Sequence, residues 1–168
     1  MRVAVTGTPG TGKTTATERL ETDLDVIHLN DVIREEGLSE GVDEERDSLV
    51  ADMEAVAEWL DGRDDAVVDS HLAHNFDADR VVVLRAHPDA VVDRITDRGE
   101  PEEKALENAE SEALDVILSA AVERHGRDAV YEVDTTDRDP DAVAAEIAAV
   151  IDGEREPSAG EVSFVDWI

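Results

Sequence analysis

The stretch Gly7-Thr8-Pro9-Gly10-Thr11-Gly12-Lys13-Thr14-Thr15 decides the fold of this 168-residue chain. Its first eight residues match the spacing G-x-x-x-x-G-K-[ST], in which glycines let the backbone curl so that several N–H groups converge on a phosphate. An apolar run at residues 3–5 precedes it, and a helix-forming segment begins near Thr15. Because a strand and a helix N-terminus flank the loop, the sequence predicts a triphosphate site there, with the helix dipole adding positive potential.

The residues of this phosphate-binding loop (residues 7–14) have separate predicted roles. Lys13 is predicted to reach the β- and γ-phosphates of ATP and to be catalytic, because phosphoryl transfer depends mainly on positioning and charge neutralisation. The Thr14 hydroxyl is predicted to hold Mg²⁺, the cofactor that accompanies ATP. The residues predicted to bind ATP here are Gly10, Gly12, Lys13, Thr14 and Thr15.

The charge of the chain is strongly negative. Aspartate and glutamate number 44 against 15 lysines and arginines, a formal net charge of −29, and the acidic residues are spread along the whole length. Such a surface repels itself in dilute buffer, whereas in molar salt the Debye length falls to ~3 Å and the repulsion is screened. The composition therefore predicts a halophilic protein and argues against a general nucleic-acid-binding face, which needs a basic surface.

Composition also narrows the cellular setting. The chain has no cysteine, which excludes disulfides and thiolate chemistry. No run approaches the ~20 apolar residues of a membrane span. The first predicted strand begins so close to residue 1 that it leaves no room for a signal peptide. We therefore expect a cytoplasmic protein with no membrane partner.

Apolar runs alternate with helical patterns along the chain, which predicts an α/β fold with a parallel sheet and right-handed crossovers. The five predicted strands cover residues 3–5, 26–29, 66–70, 81–84 and 129–133. Helices are predicted at residues 15–20, 32–36, 48–60, 88–98, about 106–125 and 140–151. Residues 37–47 are predicted to be an acidic surface loop.

The tail at residues 153–168 carries an unusual share of the large apolar side chains. It ends in Phe164, Val165, Trp167 and Ile168, in a chain with few aromatic residues. Two interpretations remain open: the tail folds back onto the surface of its own domain, or it is a docking peptide for a partner.

The chain resembles the adenylate kinase 6 family, which comprises small nucleoside monophosphate kinases of archaea and eukaryotes. The likeness runs to about residue 152. It is carried by the phosphate-binding loop, by residues 29–36, 41–45, 68–71 and 94–99, and by Lys104, Asn108 and Glu112. The chain departs from the family at Ser70 and Glu100, where aromatic residues are often found.

The resemblance implies a three-layer P-loop NTPase fold in which the five-stranded parallel sheet has helices on both faces. One domain would cover residues 1–152, with a segment for the nucleoside monophosphate (NMP) at about 30–53 and a lid at about 98–108. The implied activities are ATP-dependent phosphorylation of AMP or other NMPs, and ATP hydrolysis. The family also implies transient binding to ribosomal protein uS11 during late small-subunit (16S rRNA) maturation.

Two arginines are predicted to contact phosphates. A guanidinium fork suits a phosphate in two-point contact, so Arg34 is predicted to bind the NMP; the alternative is a solvated ion pair with a neighbouring acid. Arg98 directly precedes Gly99 and the lid, from which it would reach the transferring phosphoryl group as a catalytic and ATP-binding residue. Arg94 lies on the same helix face, but Arg98 is the preferred ATP contact because it abuts the hinge.

Two residues at the carboxyl end of the third predicted strand are further catalytic candidates: Asp69, near its end, and His71, just after it. Asp69 stands at the carboxyl end of the strand, where open parallel sheets place their binding crevice, and is predicted to orient Mg²⁺-bound water. The alternative is an ordinary turn residue. His71 is predicted to position water for ATP hydrolysis, or else to hold its neighbours. The remaining histidines lack metal-ligand spacing and are predicted to be structural or exposed: His28, His74, His87 and His125.

Other functions stay open at this stage. The leading hypothesis is an ATP:NMP phosphotransferase; the alternatives are an ATP-switched ribosome assembly factor whose kinase reaction is incidental, and another small P-loop kinase with a different acceptor. A GTPase is disfavoured, because neither an N-K-x-D nor a D-x-x-G motif occurs. The acidic run Asp43-Glu44-Glu45 is predicted to be a solvated loop rather than a phosphate contact.

Overall fold

The fold is built on a central parallel sheet of five strands. In the computed structural model, which describes residues 1–43 and 48–168, the sheet has the order β2-β5-β1-β6-β7. Its strands are β1 (Arg2–Thr6), β2 (Asp25–His28), β5 (Ala66–Asp69), β6 (Arg80–Arg85) and β7 (Val130–Asp134). Strands β3 (Ser39–Asp43) and β4 (Ser48–Ala51) form a separate antiparallel pair.

Seven α-helices accompany the strands within the described residues. They are α1 (Lys13–Thr17), α2 (Leu29–Glu35), α3 (Met53–Leu60), α4 (Pro88–Asp97), α5 (Glu102–Ala113), α6 (Val116–His125) and α7 (Pro140–Ile151). Short 3₁₀ helices lie at Ala73–Asn75, Arg127–Ala129 and Val165–Trp167. None of the helices in this part of the chain is long and apolar enough to cross a membrane.

The two faces of the sheet are buried in separate apolar cores. Ala4 of β1 packs with α2, α3 and α6 on one face, whereas Val3 and Val5 pack with α1 and α7 on the other. Both faces of β1 are therefore covered, which explains why its sequence is continuously apolar instead of alternating. The result is the three-layer α/β fold of the P-loop NTPases, as the sequence predicted.

The prediction for residues 37–60 was partly wrong. Ser39–Asp43 is a strand, not a loop, and it pairs with Ser48–Ala51, which had been assigned to a helix. The helix itself begins at Met53, because the Asp52 carboxylate accepts a hydrogen bond from Ala55 N at 3.1 Å and caps its first turn. The predicted acidic loop includes Glu44 and Glu45, which lie outside the described residues.

The long helix predicted at about 106–125 is two helices, α5 and α6. Between them Asp115 has a φ of 56°, in the left-handed region that Asp tolerates better than most residues. Its carboxylate accepts a hydrogen bond from Arg85 Nη2 at 2.5 Å. A contact with a residue thirty positions away therefore stabilises the break.

The tail folds back onto the domain. Ser158 N donates to Val130 O at 3.0 Å, and Ser158 Oγ accepts from Glu132 N at 2.9 Å, so the tail runs beside β7. Further along, Trp167 Nε1 donates to Asp89 Oδ1 at 2.9 Å, and its ring packs against an apolar cluster shared by α4 and α5. The tail thus joins β7 to the start of α4.

Candidate phosphate-binding site

The phosphate-binding loop connects β1 to α1 at the carboxyl edge of the sheet. Gly12 has a φ of 89°, which favours glycine, and it directly precedes the first residue of α1. A Cβ atom at Gly7 would lie 2.7 Å from the Leu84 carbonyl oxygen, so a side chain there would force β1 and β6 apart. Glycine is thus required at the loop by conformation at one position and by space at another.

Lys13 extends back over the loop. Its Nζ donates to Gly7 O at 2.9 Å and to Thr8 O at 3.1 Å. Burial, with a smaller contribution from the Arg98 charge, lowers the pKa of Lys13 to about 8 against the opposing effect of the Asp69 carboxylate. The ammonium is still mostly charged at neutral pH, and it can exchange these carbonyl oxygens for those of a phosphate.

Asp69 ends β5 next to Val5 of β1 and is 3% exposed. The Thr17 hydroxyl donates a short hydrogen bond to Oδ2, and His28 Nδ1 lies 2.7 Å from the same oxygen. His28 therefore contacts a candidate catalytic residue and holds its carboxylate, a contact compatible with the structural role predicted for this histidine. The two contacts fix the orientation of the carboxylate at the edge of the loop.

The side-chain oxygens at this edge fit Mg²⁺, which prefers oxygen ligands and keeps several of its water molecules. Thr14 is exposed on the first turn of α1, and within the described residues both contacts to Asp69 use Oδ2 rather than Oδ1. No group of three or more metal-ligating side chains occurs in that part of the chain. One hydroxyl and one carboxylate would hold Mg²⁺ only together with further oxygen ligands from the nucleotide phosphates.

His71 lies near the same centre. Burial, with smaller contributions that include the positive charges of Lys13 and Lys104, lowers its pKa to about 4. The ring is therefore neutral at physiological pH and has one donor and one acceptor nitrogen. The Lys13 charge contributes to this lowered pKa, and the role of His71 in positioning water stays a prediction.

The three arginines have different surroundings. Arg94 is bound to the loop: Nη1 donates to Gly10 O and to Thr135 Oγ1, both at 3.1 Å. Arg98 is exposed and lies 3.2 Å from Glu100, which also accepts from Lys104 at 2.8 Å. Arg34 is likewise exposed and pairs with Asp31. Arg94 thus supports the loop from behind, and the choice of Arg98 as the ATP contact stays a prediction.

Helix α2, which carries Arg34, begins at this edge of the sheet. It follows β2 directly, and the Ser70 hydroxyl donates to Asn30 Oδ1 at 2.8 Å. This hydrogen bond joins the residue that follows β5 to α2. The predicted ATP side and the predicted NMP segment meet at adjacent strand ends.

Sequence reasoning gave no role to several residues that hold the loop. Glu112 Oε1 accepts from Thr8 Oγ1 at 3.0 Å, and Thr135 Oγ1 donates to Thr11 O at 3.0 Å. One signal was present for Glu112, because it lies on the same face of α5 as the buried Ala105 and Ala109. A carboxylate on an apolar helical stripe indicates a buried polar partner.

Sequence comparison shows the family of the chain. A family model described as "AAA domain" matches residues 3–115. A protein of Natronomonas pharaonis named "Putative adenylate kinase" is 68% identical over 168 residues, which is 100% of each chain. A protein of the same name from Methanothermobacter thermautotrophicus is 44% identical over 171 residues, 99% of this chain and 98% of the other.

Solved structures with a similar fold include two shikimate kinases. The enzyme from Acinetobacter baumannii, in complex with shikimate, has a TM-score of 0.60 and 16% identity over 92% of this chain and 94% of the other. The enzyme from Aquifex aeolicus has a TM-score of 0.56 and 16% identity over 91% and 97% of the two chains. At such identity the likeness shows the shared fold alone.

Proposed function

The chain belongs to the AAA-domain family, and on that premise we propose that it transfers the γ-phosphoryl group of ATP to a nucleoside monophosphate, with AMP as the first candidate. One observation carries the proposal: the Lys13 ammonium, the buried Asp69 carboxylate and the start of α2 meet at the same edge of the sheet. This edge is where open parallel sheets bind their ligands. The names of the archaeal relatives point to the same reaction.

On the ATP side, the proposed contacts are those of the phosphate-binding loop. The backbone N–H groups of Gly10, Gly12, Thr14 and Thr15 would surround the phosphates, and Lys13 would neutralise the β- and γ-phosphate charge. Bound Mg²⁺ would supply charge neutralisation between the phosphates. Thr14 would hold it directly and Asp69 would orient its water.

On the acceptor side, we propose that Arg34 binds the phosphate of the NMP and that Arg98 moves onto the transferring group. Both guanidinium groups are exposed and paired with carboxylates only two or three residues away. Exposed pairs of this kind contribute little stability, so they exchange readily for a phosphate. Arg98 follows α4 and precedes α5, a position suited to a lid of about residues 98–108.

We propose ATP hydrolysis as a side activity, with the neutral His71 positioning water. By family resemblance we also propose a cytoplasmic role in late small-subunit maturation through transient binding of uS11. The charge of −29 supports this partner, because an acidic surface attracts a basic ribosomal protein. On this second candidate function, the chain is an ATP-switched assembly factor whose kinase reaction is incidental.

A panel of acceptors tests the proposal directly. The protein, in molar KCl with Mg²⁺ and ATP, is incubated with each common NMP, with shikimate, with uS11, and with no acceptor. The expected result is the formation of two ADP from one ATP and one AMP. Turnover of shikimate alone would assign another small-kinase function, and turnover that requires uS11 would favour the assembly-factor function.

Two variants connect the reaction to the site. We expect Lys13→Ala to lose more than about 99% of turnover, since an electrostatic contact to the transferring phosphoryl group is lost. Arg34→Ala should raise the KM for the NMP about tenfold or more and leave the KM for ATP nearly unchanged. Arg124→Ala is the matched control, because Arg124 also forms an exposed pair, with Asp77, near the opposite edge of the sheet. Equal KM values for the Arg34 and Arg124 variants would contradict the assignment of Arg34.

A further inference from the structure

A buried ionic cluster lies where α5, β6, β7 and the tail meet. Arg85, at the end of β6, is 1% exposed and donates to Glu132 Oε1 at 2.8 Å and to Asp115 Oδ1 at 2.5 Å. Its Nη1 also lies 3.3 Å from Val162 O of the tail. Replacing such a cluster with well-packed apolar side chains is often neutral or stabilising, so stability alone does not account for it.

Glu112 connects this cluster to the phosphate-binding loop. The residue is 2% exposed, and its two carboxylate oxygens have different partners. Oε2 accepts from Ala86 N at 2.8 Å and from Arg85 Nε at 3.3 Å, which ties it to the end of β6. Oε1 accepts from the Thr8 hydroxyl at 3.0 Å, which ties it to the loop. The carboxylate therefore holds α5, β6 and the loop at fixed separations.

Thr8 passes this constraint on to Lys13. Its side chain is fixed by Glu112, while its carbonyl oxygen accepts from Lys13 Nζ at 3.1 Å and from Thr11 Oγ1 at 2.8 Å. Thr8 is 1% exposed, so no water replaces a lost partner without rearrangement of the loop. A single residue thus separates the Glu112 carboxylate from the ammonium predicted to bind the phosphates.

We propose that Glu112 is a positioning residue for ATP, which acts through the Thr8 hydroxyl to keep the phosphate-binding loop in its anion-binding shape. The inference rests on the proposed function, because it assigns the ATP side to that loop. Glu112 lies on α5, which begins directly after Arg98 and Glu100, so displacement of this helix is transmitted to the loop. The position of the proposed lid and the shape of the ATP site are coupled by one carboxylate.

Paired substitutions of Thr8 test the coupling without removing a buried charge. Thr8→Val keeps the volume and removes the hydroxyl, whereas Thr8→Ser keeps the hydroxyl. We expect ATP to bind Thr8→Val about tenfold more weakly by calorimetry, the order expected for a lost hydrogen bond to a charged group, and Thr8→Ser to bind close to wild type. The KM for ATP should rise while the KM for the NMP does not. Thr22→Val, which removes a hydroxyl at the opposite edge of the sheet, is the matched control.

A double-mutant cycle with Glu112→Gln identifies the route. If Glu112 acts through Thr8, the double variant binds ATP no more weakly than whichever single variant binds it more weakly. If the two residues act independently, their losses of ATP affinity multiply in the double variant, which would contradict this route. Equal ATP affinity of wild type and Thr8→Val would overturn the inference alone. Failure of the wild-type protein to bind ATP would overturn the proposed function and this inference with it.

Discussion

At the scale of residues, three histidines near the same edge of the sheet have different environments. His28 contacts the Asp69 carboxylate, and His71 lies near the Lys13 ammonium. His74 is buried, with Nδ1 2.8 Å from Thr6 Oγ1, and its carbonyl accepts from His125 Nε2. Burial lowers the pKa of His74 to about 4, with a smaller contribution from His125. The ring is neutral in the folded protein at pH values where it would be protonated in the unfolded chain.

The lowered pKa of His74 makes stability depend on pH. Between the unfolded value near 6.5 and the folded value near 4, the unfolded chain binds the extra proton, so stability falls as the pH falls through this window. We expect His74 to account for a loss of about 2 kcal/mol in the free energy of unfolding between pH 7 and pH 5. Urea unfolding in molar KCl, at pH 7 and at pH 5, measures this difference in the free energy of unfolding.

His74→Gln should remove most of that pH-dependent loss, although its stability at pH 7 is lower. His87→Gln changes an exposed histidine and should keep the full wild-type dependence on pH. A His74 variant with the same loss between pH 7 and pH 5 as wild type would show that other groups cause the acid sensitivity.

The residues of the site differ in how far local sequence reveals them. Lys13 is fixed by the spacing of its motif, and Asp69 by its position at the end of an apolar strand. Thr17, Glu112 and Thr135 act through contacts to residues 52, 104 and 124 positions away in the chain. Glu112 has one local signal, its place on the apolar stripe of α5, whereas nothing in the immediate sequence distinguishes Thr17 and Thr135 from ordinary helix or turn residues.

At the scale of elements, the five parallel strands could be predicted, whereas the β3–β4 pair could not. A parallel strand buried on both faces has a continuous apolar run, which is visible in a short window. Strand β3 has no apolar run, and Leu49 and Val50 of β4 fit the helical pattern of the residues that follow. The break between α5 and α6 could not be predicted from the local sequence either, because the residue that stabilises it, Arg85, lies on β6.

The tail element offers a test of its packing. Trp167 packs on the apolar cluster of α4 and α5 and donates to Asp89, whereas Val165, in the same 3₁₀ turn, is exposed. We expect Trp167→Ala to lower the free energy of unfolding by about 1–3 kcal/mol through lost apolar burial. Val165→Ala should change it by less than about 0.5 kcal/mol. Equal effects in urea unfolding would contradict the described packing of the tail.

At the scale of the whole molecule, we expect the net charge of −29 to lower stability in dilute buffer. Mutual repulsion favours expansion, and it weakens as the Debye length shortens from ~10 Å in 0.1 M salt. We expect the thermal midpoint to rise by about 10 °C or more between 0.1 M and 2 M KCl. Sucrose of matched osmolality, which screens no charge, is the control. A midpoint independent of KCl would contradict a halophilic protein.

The hydrogen bonds between the tail and β7 have a further consequence in concentrated salt. β7 is the last strand of the sheet, and Ser158 and Arg155 occupy the outward-facing backbone groups of Val130 and Glu132. In concentrated salt, screened copies approach each other closely, and an uncovered strand would invite a neighbouring sheet to pair with it. Because the tail already hydrogen-bonds to this edge of β7, we expect it to block pairing with a neighbouring sheet even where salt screens the charge repulsion between copies.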